Sequence, residues 1–541
     1  FLQKNTGNGW DSRKVSSGQS IQVVYGGQKL QPANTYYWKL MVWDNQHNAS
    51  SWSRPAKWQM GLPDQEDWKG ARWIAYERLP DSLRIVPGIH GAGDSTLGPG
   101  KDILPLFRKE FSIKKAVKRA TVYIAGLGHF DLMINGKKVA DHFLDAGWTQ
   151  YSKQALYVTF DVTSQVKQGG NAIGVMLGNG FYYIPRERYR KITVAYGYPK
   201  MICRLAIEYS DGSMEDIISD QSWKAKPGPI TFSSIYGGED YDANLETTGW
   251  DLPSYDDQWW KSSLIVDGPP ALNSQLEPPL RILDSFTVKK ITQPKPGIWV
   301  YDLGQNASGI FRISVMGRKG SQISMRPAEL VRDDGLITQD AVGAPVYFDY
   351  TLKGGSTETW QPRFTYYGFR YIQVEGGIPA DEPNPDHLPV ITEIKGLHTR
   401  NSADETGSFS CSNDLFNRTF KLINWATKSN MASVLTDCPH REKLGWLEEA
   451  HLVGPSIRYN YNISGLCRKI VKDMINAQTA DGLVPDIAPE FVQFEGGFRD
   501  SPEWGSNSII LPWYLYSWYG DREILAEAYP MMQRYINYLQ K

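Results

Sequence analysis

The hydrophobic pattern of this chain changes its period once, close to residue 400, and this change constrains the fold more than any other feature. Before that point apolar residues alternate with polar ones in short runs, as in Trp38, Leu40 and Val42, and a period of two is typical of β-strands. After it they recur every three or four positions, as in Ile470 and Met474, which is the period of α-helices. Because all strands precede all helices, we expect separate all-β and all-α domains.

At 541 residues the chain is long enough for three or four domains. We predict a partial fibronectin type III-like β-sandwich at residues 1–62, which lacks its first strands, and a jelly-roll-like β-sandwich at 63–275. A third β-sandwich is predicted at 276–398 and a helical domain at 399–541. In the first unit, residues 21–25 are expected to form a strand. In the last, Asn413 and Asp521 are predicted to be helix N-caps.

Charge and cysteine content exclude several classes of function. With 58 Lys and Arg against 59 Asp and Glu, the net charge is -1, so nucleic acid and anionic membranes are not predicted partners. No apolar stretch is long enough to span a membrane, and the start of the chain has no signal-peptide pattern, although we expect the natural protein to begin earlier. The four cysteines have no metal-ligand spacing and no calcium loop is visible. We therefore predict no cofactor and no metal, and a calcium ion in the jelly-roll unit is not indicated.

Residues 436–449 concentrate the chemistry, with four carboxylates, three basic side chains and an indole within fourteen positions. Carbohydrate enzymes use carboxylates as acid or base beside an aromatic platform, so this segment is predicted to be a sugar site. The structural alternative is a helix start, with Asp437 as N-cap and Pro439 in the first turn. Cys438 is expected to be a small buried hydrophobe.

Other segments are weaker candidates for sugar binding. Residues 179–190 are rich in Tyr and Arg, which makes the second unit a candidate carbohydrate-binding module, although a plain surface edge explains the same composition. The stretches 481–486 and 494–500 are predicted to be long interhelical loops, where binding residues concentrate.

Several motifs carry a resemblance to a known family. They are Gly126-Leu127-Gly128, Ile134-Asn135-Gly136-Lys137, Ala146-Gly147-Trp148-Thr149, Leu177-Gly178-Asn179-Gly180-Phe181-Tyr182, Asp437-Cys438-Pro439 and Leu444-Gly445-Trp446. With the order of the units, they resemble α-L-rhamnosidases of glycoside hydrolase family 78 over nearly the whole chain. The resemblance implies β-sandwich domains followed by an (α/α)6-barrel catalytic domain, only partly covered by this chain. It also implies a pocket for terminal α-L-rhamnose and an inverting hydrolysis.

The resemblance implies a general acid in the motif, but the motif here is one residue shorter than in the family. The family's acid is the second of two acidic residues between an Arg and the Gly-Trp. Counting forward from Asp437 gives Lys443 this position, whereas counting back from Trp446 gives it to Glu442. We predict Glu442 as the acid.

The resemblance also implies substrate-binding residues. They are Asp437, Arg441, Trp446, Glu449, Trp504 and, beside the last, Glu503. The family's Trp-Gly-Asp reads Trp504-Gly505-Ser506 here, which is a departure. The general base is expected beyond Lys541.

Two other functions remain open. His440, Arg441 and Lys443 make the motif unusually basic, and a β-elimination needs cations to neutralise a uronate together with a base such as His440 or Lys443. Polysaccharide lyase family 27, similar in architecture, removes rhamnose from rhamnosyl-glucuronate caps of arabinogalactan in this way. An inactive rhamnose-binding protein is the third reading. In each case the expected partner is a plant glycan with terminal rhamnose, and the expected location is periplasmic or extracellular.

Overall fold

The computed structural model describes residues 7–91, 104–185, 188–189, 191–343 and 345–541. Of the Tyr- and Arg-rich run, Arg186, Glu187 and Arg190 lie outside the described residues. Strands occupy the chain up to Asn401 and α-helices begin at Asp414, so the predicted order of β before α is confirmed.

The first unit has a small antiparallel sheet of two strands, Thr35–Trp38 and Ala56–Gln59. The prediction of a strand at residues 21–25 is wrong, because this segment is irregular and exposes Ile21, Val23 and Val24 to solvent. Alternating side chains make a strand only when its main-chain N–H and C=O groups pair with a neighbour, and none of the described strands pairs with this segment.

The second unit contains two sheets that face each other. The seven-stranded sheet comprises Leu264–Ile265, Ile74–Ala75, Lys200–Tyr209, Val117–Leu127, Gln154–Asp161 and Ala271–Ser274 in that order, with Met214–Ile218 on Lys200–Tyr209. The six-stranded sheet comprises Lys261–Ser262, Lys224–Pro227, Pro105–Ile113, Gly169–Leu177, Phe130–Ile134 and Lys137–Lys138. Val122 and Leu205 from the first share one buried core with Phe107 and Val175 from the second. The two sheets therefore form a β-sandwich.

A small three-stranded sheet of the second unit, here called the bridging sheet, reaches the helical part of the chain. Its strands are Tyr183–Ile184, Ile192–Ala195 and Ile85–His90. The Gly88 N–H donates to the Phe491 carbonyl at 3.1 Å, and the Gln493 N–H donates to the Gly88 carbonyl at 3.3 Å. Main-chain hydrogen bonds therefore fix the end of this sheet against the loops that follow residue 477.

The third unit is built on a twelve-stranded sheet. In order along the sheet its strands are Ile230–Ser234, Gly238–Asp242, Phe348–Thr351, Gln322–Ala328, Tyr367–Glu375, Ile298–Met316, Val390–Asn401, Leu280–Thr287 and His142–Phe143, with Lys290–Lys295, Glu358–Trp360 and Ile378–Pro379 off this path. Leu330–Val331 and Ile337–Thr338 form a separate pair. The first two strands and the last one precede the predicted boundary at 275, so hydrogen bonding crosses it. The domain limits themselves stay a prediction.

Seven α-helices follow, with short 3₁₀ turns elsewhere at Gln65–Trp68, Asp81–Leu83, Ala243–Leu245 and Gly496–Phe498. The helices are α1 Asp414–Asn430, α2 Glu448–Leu452, α3 Gly454–Ile457, α4 Ser464–Ala477, α5 Pro502–Gly505, α6 Asn507–Tyr519 and α7 Arg522–Leu539. Both predicted N-caps are confirmed, since Asn413 accepts from the Leu415 N–H and Asp521 from the Ile524 N–H. Helices α4, α6 and α7 share a buried core. Within the described ranges, no helix is long and apolar enough to cross a membrane.

Candidate functional site

The motif segment between α1 and α2 is not helical, so the alternative reading of Asp437 and Pro439 as a helix start is wrong. Residues 437–446, here called the motif loop, instead close on themselves. The Asp437 N–H donates to the Leu444 carbonyl, and the Leu444 N–H donates to Asp437 Oδ1, both at 3.4 Å. The buried Cys438 thiol donates to Asp437 Oδ2 at 2.9 Å. Asp437 therefore holds the two ends of the loop together.

Residues of the third unit contact the motif loop and support it. The Gly368 N–H donates to the Pro439 carbonyl at 3.1 Å. A Cβ atom at Gly368 would lie only 2.6 Å from Pro439 Cγ, so glycine is required for this approach. His440 also faces this unit, with Nδ1 3.6 Å from Glu329 Oε2. Burial lowers the pKa of His440, although Glu329 opposes the shift.

Lys443 lies in the interior and not in the site. Its side chain is fully buried, and Nζ donates to the carbonyls of Ile235 and, at 2.6 Å, Tyr366. The ammonium also lies 4.7 Å from the Tyr366 ring centre, and burial lowers its pKa to about 7. The predicted catalytic use of Lys443 is corrected by this position, because a side chain held by two main-chain carbonyls does not reach a substrate.

The side chain of Glu442 points away from that of Lys443 and contacts groups from two units. Its Oε1 atom forms an ion pair with Lys191, which precedes a strand of the bridging sheet, and its Oε2 accepts from Trp446 Nε1 at 3.3 Å. Arg441 Nε lies 3.9 Å from Oε1. Burial favours the protonated form, but Lys191, Trp446 and Arg441 outweigh it and hold the pKa of Glu442 below its usual value.

Aromatic rings form a platform beside this carboxylate. The ring of Trp446 lies 5.2 Å from that of Phe494 and 6.3 Å from that of Trp504. Phe494 in turn lies 4.6 Å from the ring of His90 in the bridging sheet. An open cavity of about 820 Å³ adjoins Phe494 and is lined also by His90 and Arg499; it lies next to the motif loop but is not lined by residues of that loop.

The remaining predicted binding residues differ in their burial and in their contacts. Glu449 is half-buried on α2, and burial raises its pKa, with Asp437 adding to the shift. Burial also raises the pKa of Asp437 itself, to which Glu442 contributes. Glu503 is exposed on α5 and accepts from the Ser501 hydroxyl at 3.4 Å. The structure thus groups Asp437, Arg441, Glu442, Trp446 and Trp504, while His440 faces Glu329.

Sequence reasoning missed two side chains at this centre, Lys191 and His90, and included a third, Asp486, only within a predicted loop. Lys191 and Glu442 are 251 residues apart, and His90 is farther still, so no local pattern connects them. Asp486 is buried beside the motif loop: its carbonyl accepts from the Leu447 N–H, Oδ1 accepts from the Ser501 N–H, and Oδ2 has no partner. Burial raises the pKa of Asp486 to about 6. Among the side chains that the structure describes, no three His, Cys, Asp or Glu are grouped as they are around a metal ion.

Four family models match successive parts of the chain. They describe a Rha78A-like N-terminal immunoglobulin domain (residues 2–64), an α-L-rhamnosidase N-terminal domain (115–284), a bacterial α-L-rhamnosidase concanavalin-like domain (292–394) and a bacterial α-L-rhamnosidase six-hairpin glycosidase domain (404–541).

Curated relatives and solved structures agree with these models. An α-L-rhamnosidase of Formosa agariphila is 34% identical over 98% of this chain and 57% of its own length, and one of Alteromonas sp. strain LOR is 33% identical over 98% and 56%. The structure of the Dictyoglumus thermophilum α-L-rhamnosidase is similar with a TM-score of 0.89 at 37% identity, over all of this chain and 59% of that one. The Streptomyces avermitilis α-L-rhamnosidase complexed with L-rhamnose has a TM-score of 0.87 at 28% identity, over 98% and 66%. The chain thus spans little more than half the length of the curated relatives it matches. On its motifs, its ordered units and these similarities, the chain belongs to the α-L-rhamnosidases of glycoside hydrolase family 78.

Proposed function

We propose that the protein to which this chain belongs releases terminal α-L-rhamnose from plant glycans by inverting hydrolysis, with Glu442 as the general acid. The observation that carries the proposal is the position of the Glu442 carboxylate, which is hydrogen-bonded to the Trp446 indole on an aromatic platform. The names of the relatives, all α-L-rhamnosidases, support the same activity.

In this mechanism Glu442 gives its proton to the oxygen that links rhamnose to the rest of the glycan. Trp446 and Trp504 stack on the sugar, while Asp437, Arg441, Glu449 and Glu503 bind its hydroxyl groups. A second carboxylate, about 6.5–9.5 Å from the first in inverting glycosidases, activates the attacking water. The family resemblance implies that this base follows Lys541.

The helical part is proposed to belong to an (α/α)6 barrel. Supporting this, Leu415, Leu422 and Ile423 on α1 and Tyr529 and Ile536 on α7 expose large apolar side chains. An apolar helix face needs a partner, and further hairpins of a barrel supply one. The matched six-hairpin glycosidase model is consistent with such a barrel.

The lyase reading finds no support in the geometry. It requires His440 or Lys443 as a base, but Lys443 is buried against main-chain carbonyls and His440 is directed to Glu329. Because polymeric glycans are met outside the cytoplasm, we propose a periplasmic or extracellular site of action.

Mass spectrometry of the products tests the proposal. The full-length protein is incubated with an arabinogalactan that carries rhamnosyl-glucuronate caps, and the remaining glycan is weighed. Free rhamnose together with a saturated glucuronate end is expected, because hydrolysis adds water. An end lighter by one water and absorbing in the ultraviolet would replace hydrolase by lyase. Bound but unreleased rhamnose would identify a binding protein.

A further inference from the structure

In the described part of the chain, the ion pair with Lys191 of the second unit is the one that joins Glu442 to another unit. The Lys191 side chain is 35% exposed and that of Glu442 is 14% exposed. The Lys191 side chain is therefore partly open to solvent while its ammonium holds the proposed acid. The proposed mechanism does not use Lys191.

The position of Lys191 is built into the fold. The Gly91 N–H donates to the Lys191 carbonyl at 2.7 Å, and the strand Ile192–Ala195 begins at the next residue. Hydrogen bonds between Gly88 and residues 491 and 493 fix the same sheet to the helical part. Lys191 is thus not a surface lysine with a free main chain, and its reach to Glu442 is set by both units.

The two carboxylate oxygens of Glu442 face different parts of the site. Oε2 faces Trp446, on which the rhamnose is proposed to stack, whereas Oε1 faces Lys191. Glu442 gives its proton to the oxygen that joins rhamnose to its leaving group. A leaving group that extends from the platform past Glu442 therefore runs toward Lys191.

Pairing with an ammonium stabilises the ionised form of a carboxylate and so disfavours the protonated form that a general acid needs. Besides Lys191, the charged or titratable groups that interact with Glu442 or its partner are Arg441, Asp437, His90, Tyr189 and Tyr236. Burial lowers the pKa of His90, and Lys191 adds to this, so His90 is neutral at pH 7 and does not replace the ammonium. Exchange of the pair with Lys191 therefore favours the protonated form of Glu442.

We infer that Lys191 determines the specificity for the leaving group, and that the preferred substrates carry a carboxylate on the sugar that adjoins the rhamnose. This carboxylate takes Lys191 from Glu442, so the ammonium keeps an anionic partner while Glu442 becomes free to hold a proton. A neutral leaving group would leave a partly buried ammonium without a partner, which costs binding energy. The inference rests on the proposed function and narrows its substrate class.

The test compares two disaccharides that differ only in the carboxylate: rhamnosyl-α-1,4-glucuronate and rhamnosyl-α-1,4-glucose. With the full-length wild-type protein, we expect kcat/KM to favour the uronate by about tenfold or more, as for a partly buried charge pair. In Lys191→Met the preference should fall toward one, and in Lys191→Arg most of it should remain. For the neutral disaccharide, Lys191→Met should raise kcat/KM and move the alkaline limb of its pH profile upward, because Glu442 loses its cation.

An aryl α-L-rhamnoside, assayed in parallel, separates this inference from the proposed function. If the wild type releases no rhamnose from any substrate, the proposed function and the inference both fail. If it cleaves the aryl rhamnoside but treats the two disaccharides alike, only the inference is overturned. A preference that survives in Lys191→Met, with a thermal midpoint equal to that of the wild type, overturns it as well.

Discussion

Replacing Lys443 with Met tests whether this residue supports the motif loop or acts in catalysis. The substitution leaves the buried Tyr366 carbonyl without its donor, whereas the Ile235 carbonyl still accepts from the Thr365 hydroxyl at 3.2 Å. An unsatisfied buried carbonyl costs about 1–3 kcal/mol, so the loss is at most about 3 kcal/mol. Met keeps most of the packing and removes the cost of burying an amine, so we expect a loss of about 1–2 kcal/mol. That corresponds to a fall of roughly 2–8 °C in the thermal midpoint of a domain of about 150–250 residues.

The loss of stability caused by Lys443→Met should grow with pH. Because burial lowers the pKa of Lys443 from 10.5 to about 7, the folded protein binds fewer protons than the unfolded chain between these values. Stability of the wild type therefore gains from Lys443 as the pH rises from 7 to 10.5, and the variant lacks this gain.

Differential scanning calorimetry of the full-length proteins measures this difference, with Lys395→Met as the matched control. Lys395 pairs with Glu393 at 2.7 Å on the surface, so its loss should leave the midpoint nearly unchanged. At a temperature where both variants are folded, rhamnose release should stay near the wild-type rate. An unchanged midpoint with lost activity would refute the reasoning, and would give the acid's place in the shortened motif to Lys443.

Three further results are expected. Glu442→Gln should lower kcat on unactivated glycans by about 10²- to 10⁴-fold with rhamnose binding retained, as measured by product release and calorimetry, whereas Glu448→Gln on α2 should not. Asp486→Asn should raise the thermal midpoint above pH 6 and leave it unchanged below pH 4. Burial raises the pKa of Asp486 to about 6, so ionisation of this carboxyl destabilises the folded protein as the pH rises from 3.8 to 6. An equal shift of the midpoint at both pH values would contradict this. Iodoacetamide at pH 8 should label the exposed Cys411 alone in the native protein, by mass spectrometry, since the other thiols are buried and burial raises their pKa to about 11 or 12 (Cys203, Cys438, Cys467).

The sequence predicts the regular elements well because their signals are local. The change of period near residue 400 predicted the order of β before α, and side-chain chemistry at Asn413 and Asp521 predicted both N-caps. Residues 21–25 show the limit of that approach, because their alternation is local but pairing of a strand is not.

The motif loop shows the same limit within the site. Its composition predicted a sugar site at residues 436–449, but neither period applies to an irregular loop. Glu442 and Lys443 are neighbours in sequence, and the directions of their side chains depend on Lys191, Ile235 and Tyr366, which are distant along the chain. A local motif therefore identifies which groups are present but not which of them reaches the substrate.

Contacts from several units therefore determine the position of Glu442, the proposed acid. The second unit holds Glu442 through Lys191, while the sheet of the third unit and the turn at Ile235 between its first two strands hold Lys443 through the Ile235 and Tyr366 carbonyls and the loop through Gly368. A shift of either unit relative to the helices would break a contact of Glu442 or of the residue beside it. Hydrolysis by the helical part alone would need a different support for the motif loop, so the β units are part of the proposed catalytic site and not appendages to it.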